Sequence, residues 1–132
     1  MVRGSWCAAG WITGAACAAL LAACTNVDDR LGATGATKHG TVLVDGKGRT
    51  LYFHDEDLPS KSQCTPACTV LWPPAEAGDA ARPQGEFTII VRESGTRQWA
   101  YGGRPLYRSI LDFAPGYALG EGTDGEWRVA KP

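Results

Sequence analysis

The sequence of 132 residues has little net charge, 2 histidines and 1 methionine. Affinity for nucleic acid depends on clustered Lys and Arg, so 13 basic and 14 acidic residues, a net charge of −1, exclude a nucleic-acid partner. The sequence also lacks a Gly-x-Ser-x-Gly hydrolase elbow, a phosphate-cradling glycine loop and an Asp-x-Asp-x-Asp-Gly calcium loop. It therefore predicts a small domain without a cofactor and without a recognisable catalytic site.

Cysteine is unevenly distributed, and its distribution points to export. Of the 5 cysteines, Cys7, Cys17 and Cys24 lie in an N-terminal segment that has a basic start, an uncharged apolar stretch and a small-residue end, as in a secretory signal. The end, Leu21-Ala22-Ala23-Cys24 before a polar segment, resembles the bacterial lipobox. We expect residues 1–23 to be removed as a lipoprotein signal peptide, together with Cys7 and Cys17, and Cys24 to carry lipid. The alternative is a transmembrane helix with an incidental cysteine, but the stretch is Ala/Gly-rich, marginal in length for a span, and not followed directly by a basic stop.

Residues 24–39 are rich in Thr, Asp, Gly and Ala and have few large apolar side chains. Such a composition cannot bury enough surface to offset its conformational entropy, so we expect a flexible tether. The alternative is a short irregular arm packed on the domain. Together with the lipid, the tether predicts an exported protein anchored to the bacterial membrane and facing the periplasm or the exterior.

The rest of the chain contains an internal repeat. Aligning the sequence with itself so that Gly40 falls on Gly95 gives nine identities over 36 positions, which include Gly48-Arg49, Leu51-Tyr52, Asp57 and Trp72 matched to Gly103-Arg104, Leu106-Tyr107, Asp112 and Trp127. We therefore predict one folded domain, about 40–132. It comprises repeat unit 1 (40–75), a connecting loop and strand (76–94) and repeat unit 2 (95–132).

Alternating and β-branched segments separated by turn residues predict a mainly β fold. We expect a hairpin of residues 41–44 and 50–53, a meander of 88–91, 97–101 and 105–108, and a last strand at 127–129. One short helix is predicted from the cap Thr65 to Leu71, stopped by the prolines that follow Trp72. The predicted fold class is a small antiparallel β domain of two pseudo-symmetric repeats with one short helix.

Each unit also contains the pattern Tyr, four residues, Asp, as Tyr52 to Asp57 and as Tyr107 to Asp112. Together with the residues around it, this pattern resembles the secreted-repeat lipoproteins of unknown function. The supporting segments are Leu43-Val44-Asp45, Cys64-Thr65-x-x-Cys68, Trp72-Pro73-Pro74, Gly95-Thr96-Arg97-Gln98-Trp99 and Gly103-x-Pro105-Leu106-Tyr107. The resemblance implies a family and no activity. Two positions after each tyrosine, where the family usually has an aromatic residue, this chain has His54 and Ser109.

The motif residues have an architectural interpretation and a functional one. Each tyrosine can pack its ring in the core while the aspartate accepts backbone N–H groups in a turn. Alternatively, Asp57 and Asp112 could face each other across a pseudo-twofold axis and act as acid and base in a hydrolase.

Cys64 and Cys68 predict a disulfide, since an exported domain meets oxidising conditions. Residues four apart within a helix are too distant for the bond, so Cys64 must lie in the bend before the helix begins. A solvated turn is the simpler interpretation of His54 and the acidic residues beside it, although a metal site of His54, Cys64 and Cys68 can be drawn.

The leading hypothesis is a lipid-anchored cell-envelope protein, non-enzymatic, whose domain binds or scaffolds an envelope protein or a small ligand. The alternative is a periplasmic redox or metal-handling protein that uses Cys64 and Cys68, with or without His54.

Overall fold

A computed structural model describes residues 31–132 of the chain. It contains seven short strands: β1 (Thr34–Thr37), β2 (Gly40–Leu43), β3 (Tyr52–His54), β4 (Phe87–Val91), β5 (Arg97–Tyr101), β6 (Arg104–Pro105) and β7 (Trp127–Val129). One α-helix, α1 (Cys68–Leu71), and a 3-10 turn at Thr123–Gly125 complete the elements. The predicted mainly β fold class is confirmed. The predicted signal peptide and Cys24 lie outside the described residues.

The strands form three small antiparallel sheets, β1-β2, β3-β7 and β4-β5-β6. The meander predicted in the second unit is the three-stranded sheet, in which Ile89 pairs with Trp99 and Ala100 with Pro105. The predicted last strand is β7. In the part of the chain that the structure describes, no helix is long and apolar enough to cross a membrane.

The hairpin predicted in the first unit is only partly right. Val44 and Thr50 form a bridge, and the Asp45 carboxylate closes the turn between them by accepting the backbone N–H groups of Lys47 and Arg49. Beyond this bridge the two segments separate, because β2 pairs with β1 and β3 pairs with β7. Strands from elsewhere in the chain satisfy the backbone groups that the hairpin would have paired locally.

The flexible tether predicted for 24–39 is wrong over its C-terminal part. Thr34–Thr37 pairs with Gly40–Leu43 in register, and Leu31 packs partly buried against the core. A strand can form here without large side chains because it is held by backbone hydrogen bonds to the edge of β2. The segment between Cys24 and the folded domain is therefore much shorter than its composition suggests.

The two repeat units exchange their C-terminal segments. In the first unit, β3 pairs with β7 of the second, and Tyr107 of the second unit forms the equivalent bridge with Pro74 of the first. Tyr52 and Tyr107 face each other and exchange both backbone N–H to carbonyl hydrogen bonds, at 2.8 and 3.0 Å. The pseudo-twofold axis therefore passes between these two tyrosines.

Two adjoining clusters of buried residues form the core. One contains Leu51, Phe53, Trp99 and Leu106, and the other contains the two motif tyrosines with Val42, Trp72 and Trp127. Both clusters mix residues of the two units, so neither unit has a core of its own.

The short helix is present but begins at Cys68, later than predicted, and Thr65 caps the turn that leads into it. The Thr65 side-chain oxygen accepts the Cys68 N–H at 3.3 Å, and the Thr65 carbonyl accepts the Thr69 N–H at 3.0 Å. The helix has only one turn, and Trp72 follows it directly into the core.

Candidate functional site

The tyrosine and aspartate of the repeated motif bond across the units and not within them. The Tyr52 hydroxyl donates a hydrogen bond to Asp112 Oδ2, and the Tyr107 hydroxyl donates to Asp57 Oδ2 at 2.7 Å. The sequence contained no signal of this crossing, since each tyrosine has an aspartate five positions away in its own unit. The crossing follows from the exchange of strands at the pseudo-twofold axis.

Each aspartate also holds the loop that follows it. Asp57 Oδ1 accepts the backbone N–H of Gln63 at 2.6 Å, and Asp112 Oδ1 accepts that of Leu119 at 2.8 Å. This second oxygen performs the turn-stabilising role that the sequence suggests. Both carboxylates are thus bound on two sides within the protein, an arrangement that organises the fold.

Burial raises the pKa of both motif tyrosines. The pKa of Tyr107 is raised to about 12, mainly by burial; a hydrogen bond from Ser62 opposes the rise, and the Asp57 carboxylate adds to it. The pKa of Tyr52 is raised further, first by burial and then by its hydrogen bond to Asp112. Both hydroxyls are therefore protonated at neutral pH and act as hydrogen-bond donors to the carboxylates.

An aromatic stack lies beside these pairs. Trp72 and Trp127, equivalent residues of the two units, stack face to face with ring centroids 3.8 Å apart. The edges of the motif tyrosines contact them within each unit, Tyr52 on Trp72 at 5.2 Å and Tyr107 on Trp127 at 5.1 Å. The stack is symmetric about the same axis and fills the junction between the units.

His54 extends the stack on one side only. Its ring stacks on Trp127 with the centroids 4.3 Å apart, so the imidazole packs there as an aromatic side chain would. Nε2 is 3.2 Å from a Glu126 oxygen, while Nδ1 lies 3.5 Å from Asp57 Oδ1 and has no hydrogen-bond partner among the described residues. The equivalent Ser109 is buried and accepts the Leu111 N–H.

Cys64 and Cys68 are joined by a disulfide, with their Cα atoms 5.3 Å apart. Cys64 precedes α1, in the bend where the sequence places it. The guanidinium of Arg92, the residue after β4, donates to the Cys64 carbonyl oxygen at 2.9 Å and holds this bend next to the end of that strand. The bond leaves neither sulfur as a thiolate, and the described residues contain no group of three His, Cys, Asp or Glu side chains placed to hold a metal. The metal site drawn with His54 is therefore not present in this structure.

Two surface cavities lie away from the motif. One of about 350 Å³ is lined by charged side chains that include Asp45, Arg49 and Glu76, and one of about 510 Å³ lies between the Cys64 bend and Arg92. Neither is lined by Asp57 or Asp112. Within the described residues, neither of these cavities provides the open cleft between the carboxylates that a hydrolase would need.

The feature that sequence reasoning missed is a set of exposed apolar side chains, which lie in the second unit except for Leu71 at the end of α1. Ile110 is 53 % and Phe113 77 % exposed, and the Phe113 and Tyr117 rings contact each other at 4.8 Å. The Ile110 N–H bonds to the Leu71 carbonyl at 3.1 Å, which brings the end of α1 to this surface. We call this set the apolar surface: Leu71, Ile110, Leu111, Phe113, Tyr117 and Leu119. The sequence does contain a signal for this surface, because Asp112 is the one charged residue among residues 110–119.

A family model described as a secreted repeat of unknown function matches the chain twice, at residues 33–76 and 88–131. The chain belongs to this secreted-repeat family. The displacement between the two matches is the same one that relates Tyr52 to Tyr107 and Trp72 to Trp127. No curated protein and no solved structure is significantly similar to the chain.

Membership of the secreted-repeat family indicates an exported protein, and the two matches place strands at the start of each repeat. The first match begins at residue 33 and so includes β1, while the second begins at 88 and includes most of β4. These strands are the first elements of the two units. The strand that the tether prediction missed therefore has its counterpart in β4.

Proposed function

We propose that this secreted-repeat protein is anchored to the bacterial envelope by a lipid on Cys24 and acts there as a non-enzymatic binding module. Support for the anchor comes from the order of residues at 21–24, aliphatic, small, small and cysteine, directly after an uncharged stretch. Two or more acyl chains on one cysteine give durable membrane attachment, whereas a single chain is marginal.

The apolar surface carries the binding role. The two tyrosine–aspartate pairs that the family motif supplies are engaged in bonds inside the fold. What residues 110–119 offer to solvent is a set of large apolar side chains, of which the Phe113 and Tyr117 rings contact each other. Soluble domains rarely expose such groups except where they contact a partner or a membrane.

Membrane fractionation tests the anchor. Cys24→Ala should abolish the lipid and leave the precursor unprocessed, because the thiol accepts the lipid before cleavage. Cys17→Ala is the matched control, since it removes a neighbouring cysteine of the same segment and should leave processing and anchoring unchanged. A Cys24→Ala protein that is still cleaved and still carries lipid would contradict the anchor.

Site-specific photo-crosslinking in intact cells tests the binding role. A photoreactive amino acid at Leu111 should form an adduct, because this side chain lies on the apolar surface. The same amino acid at Val91, an exposed apolar position on β4, is the control and should form none. Equal adduct formation at the two positions, or none at either, would contradict the proposal.

A further inference from the structure

We propose that the apolar surface rests on the lipid bilayer that holds the anchor, with Phe113 and Tyr117 inserted at the level of the headgroups. This inference rests on the proposed function, because the anchor brings the domain to the bilayer. It adds the orientation of the domain and the identity of what covers the apolar surface.

Pseudo-symmetry shows that the fold does not require apolar residues at these positions. The Ile110 N–H to Leu71 carbonyl bond has an equivalent in the first unit, the Asp55 N–H to Glu126 carbonyl bond at 2.8 Å. The backbone contact is the same, yet one unit places two aliphatic side chains there and the other places two acidic ones.

The charged counterpart continues around that position. Asp55 forms ion pairs with Arg104 at 3.4 Å and with Arg128 at 3.6 Å, and Glu56 stands where the second unit has Leu111. The same framework is thus compatible with a fully solvated surface. The apolar side chains of the second unit need an explanation outside the fold itself.

The composition of the apolar surface fits a membrane interface. Between Ser109 and Gly120 the one charged residue is Asp112, and its carboxylate is buried against Tyr52 and the Leu119 N–H. The surface therefore presents aliphatic and aromatic groups without an exposed charge from this segment. Aromatic rings beside aliphatic side chains are typical of protein regions at the headgroup level.

The position of the anchor limits how far the domain can be from the bilayer. Leu31 packs on the core, and Cys24 precedes it by seven residues, which span at most about 25 Å when extended. A folded domain of this size has a radius of gyration of about 13 Å. The tether is therefore too short to hold the domain well away from the lipid.

The tether also enters the domain through a strand that borders the apolar surface. Leu31 leads into β1, and the Ala36 carbonyl of that strand lies beside Gly116, where a Cβ would be 3.9 Å from the oxygen. Gly116 precedes Tyr117 in the exposed loop. The Ala36 end of β1 thus lies against the loop, while the chain enters β1 from Leu31, which packs on the core.

The test uses the mature lipidated protein purified from membranes. Its intact mass first establishes whether the lipid is present. The protein is then reconstituted into vesicles of phosphatidylethanolamine and phosphatidylglycerol that contain a photoactivatable phospholipid, and labelled peptides are mapped by mass spectrometry. We expect labelling of residues 109–120, and a severalfold loss of that labelling in Phe113→Ser. Val91→Ser is the matched control and should leave it unchanged.

Each other outcome overturns the inference. Labelling confined to the peptide with Cys24, or equal labelling at Val91, would show that the apolar surface does not meet the bilayer. A missing lipid mass would overturn the anchor and the inference together, whereas lipid without labelling at 109–120 overturns the inference alone.

Discussion

The Tyr52 hydroxyl donates its hydrogen bond to Asp112, which lies in the other repeat unit. Tyr107 and Asp57 form the reciprocal pair. The motif shared by the two units is therefore a device that joins them, since neither unit contains both halves of a pair. Its conformational role accounts for the presence of the same two residue types in each unit.

Replacing Tyr52 by phenylalanine should lower the free energy of unfolding by about 1–3 kcal/mol. The change removes the donor to Asp112 and also the oxygen that accepts the Gly120 N–H at 3.2 Å, and it leaves both groups buried. Urea unfolding measures the effect. Tyr117→Phe is the control, since Tyr117 is exposed and its substitution should cost little; equal losses in the two variants would refute the assignment.

Stability should be lost in alkali. The pKa of an unfolded tyrosine is about 10. Above it the unfolded chain releases protons that the native hydroxyls keep, because burial raises the pKa of Tyr107 to about 12 and that of Tyr52 further. The unfolded state then binds fewer protons than the native state, so the free energy of unfolding is fully present below about pH 10 and falls above it, by up to about 1.4 kcal/mol per pH unit for each tyrosine.

Urea unfolding across this pH range gives the slope. Tyr107→Phe should roughly halve the alkaline loss, since one of the two titrating groups is gone, whereas Tyr117→Phe should leave it unchanged. A slope that is the same in wild type and Tyr107→Phe would show that another group is responsible.

Cutting the chain in the loop between Ala77 and Phe87 should leave two fragments that do not fold separately. Each fragment lacks the strand that pairs with its own tyrosine strand, and the core is made by both. Mixing them should restore the near-ultraviolet circular dichroism of the packed tryptophans. Cooperative unfolding of either fragment alone would contradict the exchange of segments.

Phenylalanine substitutions at the equivalent positions 54 and 109 should have different effects on stability. His54→Phe keeps the stack on Trp127 and removes the buried Nδ1 that lacks a partner, so stability should change by less than about 1 kcal/mol or increase. Ser109→Phe places a ring at a buried position and should cost about 1–3 kcal/mol. Thermal unfolding compares them, and Ser109→Ala separates the added bulk from the lost hydrogen bond to Leu111. Similar losses in both phenylalanine variants would be inconsistent with this asymmetry.

Much of the fold can be predicted from local patterns in the sequence. The β4-β5-β6 meander has β-branched runs separated by glycine turns and was predicted in place, and the threonine and prolines around α1 located the short helix to within a few residues. These elements depend on residues within a few positions of each other. The repeat itself is visible because the matched residues are large and buried, Tyr52 with Tyr107 and Trp72 with Trp127.

The rest depends on contacts that no local pattern encodes. β1 has no large side chain and exists through backbone pairing with β2, so composition assigned it to the tether. The hairpin predicted in the first unit was too long, because β3 pairs with β7, at the far end of the chain. The crossed tyrosine–aspartate pairs follow from that exchange, and the solvent exposure of Ile110 and Phe113 could be known only once Asp112 was seen to turn inward.

The exchange of segments makes the domain equivalent to an interlocked homodimer whose two subunits are fused in one chain. A dimer encoded by one short gene would display every surface twice, so an apolar side would appear on both subunits and promote filaments or sheets of molecules. Fusion removes this constraint, because residue 55 and residue 110 can be changed independently. The molecule thereby has a charged surface around residue 55 and an apolar surface around residue 110 on a pseudo-symmetric fold. These two surfaces differ, so they can orient the domain relative to its surroundings.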